Sequence, residues 1–299
     1  MKIPPPLQPG DKVALVSPAR KISRSEIAFA LQTLKAWKLK TMLGKTIGKS
    51  YNQFAGDDSL RAADFQRMLD DDSVRAIFCA RGGYGTVRII DRLDFTRFLQ
   101  KPKWIIGFSD ITVLHAHVHQ CLHIATLHAS MPVSFSQNTR SALNNLRMIL
   151  FGQTPHYQIQ PHPLNVKGSA SGILIGGNLS VLYSLAGSVS DPDTRGKILF
   201  LEDIDEYLYH IDRMLMQLKR SGKLEKLAGM IIGGFTKMKD NKIPYGNNAY
   251  EIIHEHIRDY DFPVVFGFPA GHLRNNCPII FGATVQLQAT RKAALISFT

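Results

Sequence analysis

A chain of 299 residues is too long for one small core and suits one large domain or two of ordinary size. Its 44% hydrophobic and 20% charged residues are typical of a globular protein and exclude the disordered and fibrous classes. The formal net charge of +12 comes from scattered basic residues without a basic run, so we read it as solvated surface first and as evidence for an anionic ligand second. No nucleic-acid partner is predicted.

The cysteines indicate a reducing compartment. Cys79, Cys121 and Cys277 form no C-x-x-C pair, which indicates neither a disulfide framework nor a thiolate zinc site. Residues 1–6 lack the apolar region of a signal peptide, and no stretch approaches the roughly 20 apolar residues that cross a membrane. The sequence therefore predicts a cytoplasmic protein without a membrane partner.

The first half of the chain alternates apolar runs with amphipathic segments. Strands are predicted at residues 13–16, 41–47, 74–80 and 103–106, and helices at residues 23–39, 57–69, 86–93 and 111–120. This alternation predicts a parallel sheet with helices on both faces.

Turn-forming residues then break the periodicity. A helix at residues 139–150 closes the first half, and residues 153–168 are predicted to be a linker. The linker would separate an N-terminal α/β domain, residues 1–152, from a C-terminal domain, residues 169–299. Short glycine-rich segments follow, with strands predicted at residues 172–175, 198–201, 229–232, 264–266, 284–288 and 294–298 and helices at residues 210–218 and 247–258. The last two strands are predicted to pair.

Residues 104–110, Trp-Ile-Ile-Gly-Phe-Ser-Asp, run from a strand into a helix through a Gly-x-Ser turn. This layout is typical of a nucleophile elbow, in which the hydroxyl of Ser109 is exposed above the sheet edge and the amide of Asp110 points towards an oxyanion. The match is partial, because Asp110-Ile111 stands where a hydrolase elbow has x-Gly. This stretch alone favours the alternative that Ser109 or Asp110 merely caps the helix.

A glycine-rich loop, Arg81-Gly82-Gly83-Tyr84-Gly85, follows the strand at residues 74–80. It and the Gly-x-Ser turn both lie at carboxyl ends of strands, where open sheets bind ligands. Such a loop can cradle a phosphate, donate an amide to an oxyanion or simply turn a corner. The spacing matches neither nucleotide-binding fingerprint.

The second half supplies a candidate carboxylate and a candidate base. Glu202 ends a predicted buried strand, but Asp203, Asp205 and Glu206 are equally visible acids, and spacing alone does not choose among them. His272 follows Pro-x-Gly on a turn, where a neighbouring carboxylate can fix its tautomer and let it act as a base.

Histidines cluster after the elbow. His115 and His119 have the i, i+4 spacing that can grip a metal, but no Glu follows His115 as in H-E-x-x-H. We therefore predict core or surface histidines and no metal site.

Five motifs together resemble the LD-carboxypeptidase family, and the likeness covers nearly the whole chain. In chain order they are Arg81-Gly82-Gly83-Tyr84-Gly85, Ile106-Gly107-Phe108-Ser109-Asp110-Ile111-Thr112, Gly176-Gly177-Asn178-Leu179, Leu201-Glu202-Asp203 and Gly271-His272. Each motif is weak alone, whereas five in order at plausible spacing are specific.

The resemblance implies an α/β protein with an N-terminal flavodoxin-like parallel-sheet domain and a C-terminal β-rich α/β domain. It implies a homodimeric cytoplasmic serine peptidase, without metal or cofactor, that removes the terminal D-alanine from murein tetrapeptides in peptidoglycan recycling. By motif, Ser109 is the nucleophile, His272 the base and Glu202 its orienter. The backbone amides of Gly83 and Asp110 would form the oxyanion hole.

One segment departs from the family pattern. His128-Ala129-Ser130-Met131 stands where the family has His-Gly-Pro-Met, which alters one wall of the predicted pocket and concerns the substrate more than the mechanism. A related branch of the family, the microcin-immunity peptidases, cleaves a peptidyl-nucleotide amide and is the second enzyme hypothesis.

A third hypothesis is a non-catalytic protein in which the loop at residues 82–85 binds an anionic ligand. For the enzyme, Arg81 is a candidate partner of the terminal carboxylate of the substrate, since arginine binds carboxylates bidentately.

Overall fold

The computed structural model describes residues 1–290 and 292–299. Its strands are β1 (Lys12–Val16), β2 (Lys40–Leu43), β3 (Val74–Cys79), β4 (Trp104–Gly107), β5 (Thr126–His128), β6 (His156–Ile159), β7 (Gly168–Asn178), β8 (Ile198–Ile204), β9 (Gly229–Thr236), β10 (Val264–Val265), β11 (Ile279–Phe281), β12 (Thr284–Ala289) and β13 (Ala294–Phe298). Its α-helices are α1 (Ala28–Ala36), α2 (Asp58–Asp70), α3 (Thr96–Gln100), α4 (Thr112–His117), α5 (Arg140–Leu150), α6 (Leu179–Leu185), α7 (Leu208–Arg220) and α8 (Ala249–Ile257).

The first sheet has the strand order β11-β5-β4-β3-β1-β2. Strands β1 to β5 pair in parallel, which confirms the parallel sheet predicted for the first half of the chain. Their order, 2-1-3-4-5, is that of flavodoxin-like sheets. Strand β11, from near the end of the chain, adds to β5 in the antiparallel direction.

The second sheet is mixed, with the order β10-β9-β8-β7-β12-β13-β6. Strands β7 to β10 are parallel, and β12, β13 and β6 are antiparallel. The predicted pairing of the last two strands, β12 and β13, is confirmed. Two sheets, one mostly parallel, with helices packed on them confirm the predicted α/β class. The predicted domain boundaries stay a prediction, and strand β6 lies within the segment predicted as a linker.

Several predicted elements are shorter in the structure. The strand predicted at residues 41–47 ends at Leu43, because the carboxylate of Asp64 accepts hydrogen bonds from the amide (2.8 Å) and hydroxyl (2.7 Å) of Thr46 and turns the chain. The helix predicted from residue 23 begins at Ala28, since the amide of Ser23 donates to Glu26 (2.8 Å) and holds a turn before it.

The prediction of one helix at residues 86–93 is wrong. The structure has two 3-10 turns there, Thr86–Arg88 and Ile90–Arg92, and the amide of Thr86 is bound by the distant carboxylate of Asp110. The helix predicted at residues 111–120 begins as a 3-10 turn, Ser109–Ile111, and ends as a π-helical segment, Val118–Leu122.

One apolar core joins the two sheets. Ile106 and Leu127 of the first sheet share a buried cluster with Leu174 and Phe200 of the second, and Phe281 of β11 belongs to it. Separate clusters fill the outer face of each sheet under the helices. Among residues 1–290 and 292–299, no helix has both the length and the apolar character that a membrane crossing requires.

The sheets also meet where helix α4 begins. The amide of Asn178, at the end of β7, donates to the hydroxyl of Thr112 (3.0 Å). The preceding Gly177 has φ +143°, and a Cβ there would lie 2.4 Å from Thr112 Oγ1. Glycine therefore permits the close approach that holds the end of β7 against the helix following Ser109.

We expect Gly177→Ala to lower the free energy of unfolding by about 3 kcal/mol, because the added methyl group clashes with Thr112 and strains the backbone. Urea unfolding followed by circular dichroism measures this change.

The matched control is Gly187→Ala. Gly187 also has a positive φ, +80°, but nothing lies within 4 Å of an added Cβ, so only a backbone cost of about 1 kcal/mol is expected. Equal losses in the two variants would contradict the steric explanation.

Candidate active site

Ser109 lies on a strained turn between β4 and α4. Its φ of +63° is uncommon for a residue with a side chain, and its side chain is partly exposed between the buried residues Phe108 and Asp110. A Cβ on Gly107 would lie 2.8 Å from the side chain of Ile111, which explains the glycine two residues before the serine. The turn thus has the geometry of a nucleophile elbow.

The alternative that Ser109 or Asp110 caps the helix is wrong. Neither the 3-10 turn beginning at Ser109 nor helix α4 has a side-chain cap. The carboxylate of Asp110 instead accepts hydrogen bonds from the amide (3.0 Å) and hydroxyl (2.6 Å) of Thr86. The acid after the serine therefore binds the end of the glycine-rich loop.

The structure brings Glu202 and His272 together. Strand β8 ends near a fully buried Glu202, whose Oε2 accepts a hydrogen bond from Nδ1 of His272 at 2.7 Å. Gly271 has φ +104°, and a Cβ there would lie 2.5 Å from the same Oε2. The glycine before His272 is thus required for this contact, because a side chain at position 271 would overlap Glu202.

The other acids near Glu202 bind groups other than His272. Asp203 accepts from the amide of Ser180 (2.8 Å), Asp205 pairs with Lys239 on the surface, and Glu206 binds His210 Nδ1 (2.6 Å). Only spatial contacts make this distinction, which the sequence left open.

Sequence reasoning missed the side-chain role of Asn178. Its amide Nδ2 donates to Asp203 (2.9 Å) and approaches Glu202 Oε1 (3.3 Å), so it links both acids. Asn178 faces Glu202 across the parallel pairing of β7 and β8. The sequence did carry a signal for this role. Asn178 is a polar residue at the end of a Gly-Gly-Asn run, and the next strand carries a pair of acids near its end.

These neighbours shift two pKa values. Burial opposes the charged form of His272, but the charge and hydrogen bond of Glu202 outweigh it and raise the pKa of His272 above its ordinary value. Burial, followed by the charge of Glu202, raises the pKa of Asp203 to about 7. Glu202 thus favours the protonated form of His272.

His272 also packs against the elbow. Its ring centroid lies 4.8 Å from that of Phe108, the residue before Ser109. Since Nδ1 donates to Glu202, Nε2 is the nitrogen left to accept a proton. A partly exposed serine, a histidine and a buried carboxylate are the groups that nucleophilic acyl transfer uses. Among the described residues the structure joins His272 to Glu202 by a hydrogen bond and brings its ring against Phe108, but it shows no hydrogen bond between His272 and Ser109.

The glycine-rich loop lies beside the elbow. A Cβ on Gly82 would be 3.4 Å from the amide nitrogen of Asp110, and Gly83 has φ +103° with the side chain of Arg20 beside it. Arg81 leads into the loop, and its guanidinium donates to Glu26 Oε1 (3.0 Å) and contacts the carbonyl of Lys21 (3.4 Å).

His115 and His119 are core residues. Nε2 of His115 bonds to the carbonyl of Gly107 (2.9 Å), Nε2 of His119 bonds to Thr126 (2.8 Å), and burial lowers the pKa of His115 to about 4. Within the described part of the chain, no group of three or more His, Cys, Asp or Glu side chains is placed to hold a metal ion.

The segment that departs from the family pattern is buried behind the elbow. Ala129 is fully buried and donates its amide to the carbonyl of Gly107 (3.1 Å), and Ser130 is 1% exposed. The side chain of Met131 lies 3.4 Å from the position of a Cβ on Gly82. Residues 129–131 therefore pack against both the elbow and the glycine-rich loop.

Comparison with known proteins finds relatives that cover nearly the whole chain. The LD-carboxypeptidase N-terminal domain model matches residues 13–129, and the LD-carboxypeptidase C-terminal domain model matches residues 171–287. A probable murein peptide carboxypeptidase of Bacillus subtilis (strain 168) is 36% identical, over 98% of this chain and 93% of the relative. A murein tetrapeptide carboxypeptidase of Pseudomonas aeruginosa is 30% identical, over 95% of each chain.

A solved structure has the same fold. The crystal structure of a muramoyltetrapeptide carboxypeptidase from Oxalobacter formigenes superposes with a TM-score of 0.88 at 25% identity, covering 96% of this chain and 98% of the other. Both family models, the full-length relatives and the superposition identify the same group of proteins. This chain belongs to the LD-carboxypeptidase family.

Proposed function

We propose that this protein is a serine-type LD-carboxypeptidase that hydrolyses the L,D-amide bond before the terminal D-alanine of murein tetrapeptides, in peptidoglycan recycling. The names of two full-length relatives, which refer to murein peptides, support the substrate class. The 2.7 Å contact of His272 with buried Glu202, beside the strained turn of Ser109, carries the proposal.

The reaction begins at the serine hydroxyl, which is a weak nucleophile until a base removes its proton. Nε2 of His272 takes that proton as the oxygen of Ser109 attacks the amide carbonyl. Glu202 holds the ring in the tautomer with a proton on Nδ1 and stabilises the imidazolium that forms. The backbone amides of Gly83 and Asp110 donate to the oxyanion of the tetrahedral intermediate.

Collapse of this intermediate breaks the C–N bond. His272 returns its proton to the departing amine of D-alanine, and the peptide stays attached to Ser109 as an ester. Water, deprotonated by the same histidine, then attacks the ester and restores the free serine. These steps require no metal or cofactor.

A basic cavity beside the loop is a proposed site for the terminal carboxylate. The cavity measures about 380 Å³, and its charged lining is Lys21, Arg24, Lys49, Arg81 and Glu26. Because four cationic side chains and one carboxylate line the cavity, it favours the binding of an anionic group. Because Glu26 already holds one edge of Arg81, the guanidinium is oriented before a substrate carboxylate arrives.

The cytoplasmic location and the homodimer also belong to the proposal. Cys79, Cys121 and Cys277 are free thiols, as expected in a reducing compartment. The family resemblance implies a dimer.

The central test is Ser109→Ala. We expect the release of D-alanine from an L,D-linked tetrapeptide, followed by mass spectrometry, to fall by at least about 10³-fold, because the nucleophile is removed. The all-L tetrapeptide should release no alanine from the wild type.

Ser184→Ala is the matched control, since Ser184 is an exposed serine on helix α6, and it should keep wild-type activity. Full activity in Ser109→Ala would refute the serine mechanism. Tight binding of the tetrapeptide by a wild type without turnover would favour the ligand-binding protein. Cleavage of a peptidyl-nucleotide amide in preference to the tetrapeptide would favour the microcin-immunity type.

A second prediction concerns pH. His272 must be neutral to act as a base, so kcat/KM should fall as the pH drops through its raised pKa, which lies above the ordinary value of 6.5. In Glu202→Gln burial is no longer opposed by the carboxylate, and the acid limb should move to lower pH while the maximum falls by about 10²- to 10⁴-fold.

Glu206→Gln provides the control, because Glu206 binds His210 with similar geometry away from the elbow. Neither its pH profile nor its maximum should change. An acid limb that stays in place in Glu202→Gln would contradict the assignment of His272 as the base.

The role of Arg81 is tested with two substrates. Arg81→Ala should raise KM about tenfold for the tetrapeptide with a free terminal carboxylate and leave KM for its amidated form unchanged, since only the former loses an ion pair. Arg97→Ala, at an exposed arginine that pairs with Asp72, is the control and should change neither value. Equal KM changes for both substrates would exclude the carboxylate role.

A further inference from the structure

The side chain of Asp110 has a position that the proposed chemistry does not by itself require. It is 3% exposed, and its Oδ2 accepts two hydrogen bonds from Thr86, at 3.0 Å from the amide and 2.6 Å from the hydroxyl. Thr86 is the residue directly after the glycine-rich loop. A single carboxylate therefore connects the nucleophile elbow with the loop that supplies the second oxyanion amide.

A second buried charge holds the same end of the loop. Arg61 is fully buried on helix α2 and donates Nη1 to the carbonyls of Gly85 (2.8 Å) and Pro18. The loop end is thus bound at its carbonyl by Arg61 and at the next amide by Asp110. Gly85, with φ +140°, adopts a conformation that residues with side chains rarely reach, so it can connect these two contacts.

The loop lies in contact with the elbow backbone. The position of a Cβ on Gly82 is 3.4 Å from the amide nitrogen of Asp110 and 3.4 Å from the carbonyl of Phe108. Oxyanion donors must each lie about 2.7–3.1 Å from one oxygen atom, so the spacing between two amides on different loops has to be fixed before the substrate binds.

We propose, on the basis of the function proposed above, that the side chain of Asp110 is a positioning group that fixes the separation of the two oxyanion amides by binding Thr86. The residue then has two roles, since its backbone amide is one donor and its carboxylate sets the place of the other. Thr86 transmits the position to Gly83 through Gly85, whose carbonyl is held by Arg61.

Burying the carboxyl group of Asp110 costs stability, which supports a functional reason for its position. Burial raises the pKa of the Asp110 carboxyl above its ordinary value, although the hydrogen bonds from Thr86 act in the opposite direction. A buried carboxyl group with a raised pKa destabilises the folded protein at neutral pH relative to a neutral side chain. Folding alone would not favour an acid at this position.

The test removes one side of the hydrogen bond at a time and leaves the backbone amide of residue 110 in place. Thr86→Val deletes the hydroxyl donor without changing the size of the side chain, and Thr86→Ser keeps the donor. We expect Thr86→Val to lower kcat for tetrapeptide hydrolysis about tenfold, equivalent to roughly 1.4 kcal/mol of barrier, with KM unchanged. Thr86→Ser should stay close to the wild type.

Asp110→Ala removes the acceptor, and kcat should fall about 100-fold, comparable to the loss of one oxyanion donor. The double variant Thr86→Val/Asp110→Ala should be no slower than Asp110→Ala, because both substitutions break the same connection. Thermal melting of each variant is measured beside the kinetics.

The outcomes are separable. A folded Thr86→Val variant with wild-type kcat, a change in KM alone, or additive losses in the double variant would each overturn the positioning role. Unfolding of both single variants would also overturn it, since the pair would then serve stability. If the wild type has no peptidase activity, or Ser109→Ala keeps it, the proposed function fails instead.

Discussion

The hydrogen bond between His272 and Glu202 imposes the strictest demand on the rest of the molecule. A carboxylate removed from water is costly unless hydrogen bonds compensate it, and Glu202 is fully buried. Nδ1 of His272 supplies one bond and Nδ2 of Asn178 a weaker one. The space for this contact exists only because Gly271 has no side chain. The glycine at position 271 and the amide of Asn178 are therefore explained by the need to bury Glu202 beside His272.

Ser109 and the Glu202–His272 pair come from different sheets, and the contact between the sheets determines how close they lie. Ser109 follows β4 of the first sheet, whereas Glu202 lies on β8 of the second. The shared apolar core provides affinity between the sheets, and the close approach of Gly177 to Thr112 provides the register. Apolar packing is non-directional, so a core alone would let one sheet slide over the other. The hydrogen bond at the start of α4 fixes their relative position.

Much of the fold could be predicted from the sequence, because alternating strands and helices carry local periodicity. The Gly-x-Ser turn and the Gly-His pair were also visible locally. Spacing alone did not choose Glu202 over Asp203, and only the family resemblance named it, since neighbouring residues of a strand differ only in the face they present, and that depends on the partner strand. The interaction of Asp110 with Thr86 was missed for the same reason, because it joins residues 24 positions apart.

Strand β11 has a consequence for biosynthesis. Residues 279–281 complete the sheet that carries Ser109, so β5 remains an open edge until these residues have been synthesised. Unpaired edges recruit other strands, and a truncated translation product would be prone to aggregate. A product that ends before residue 272 would lack both the completed sheet and the histidine of the proposed mechanism.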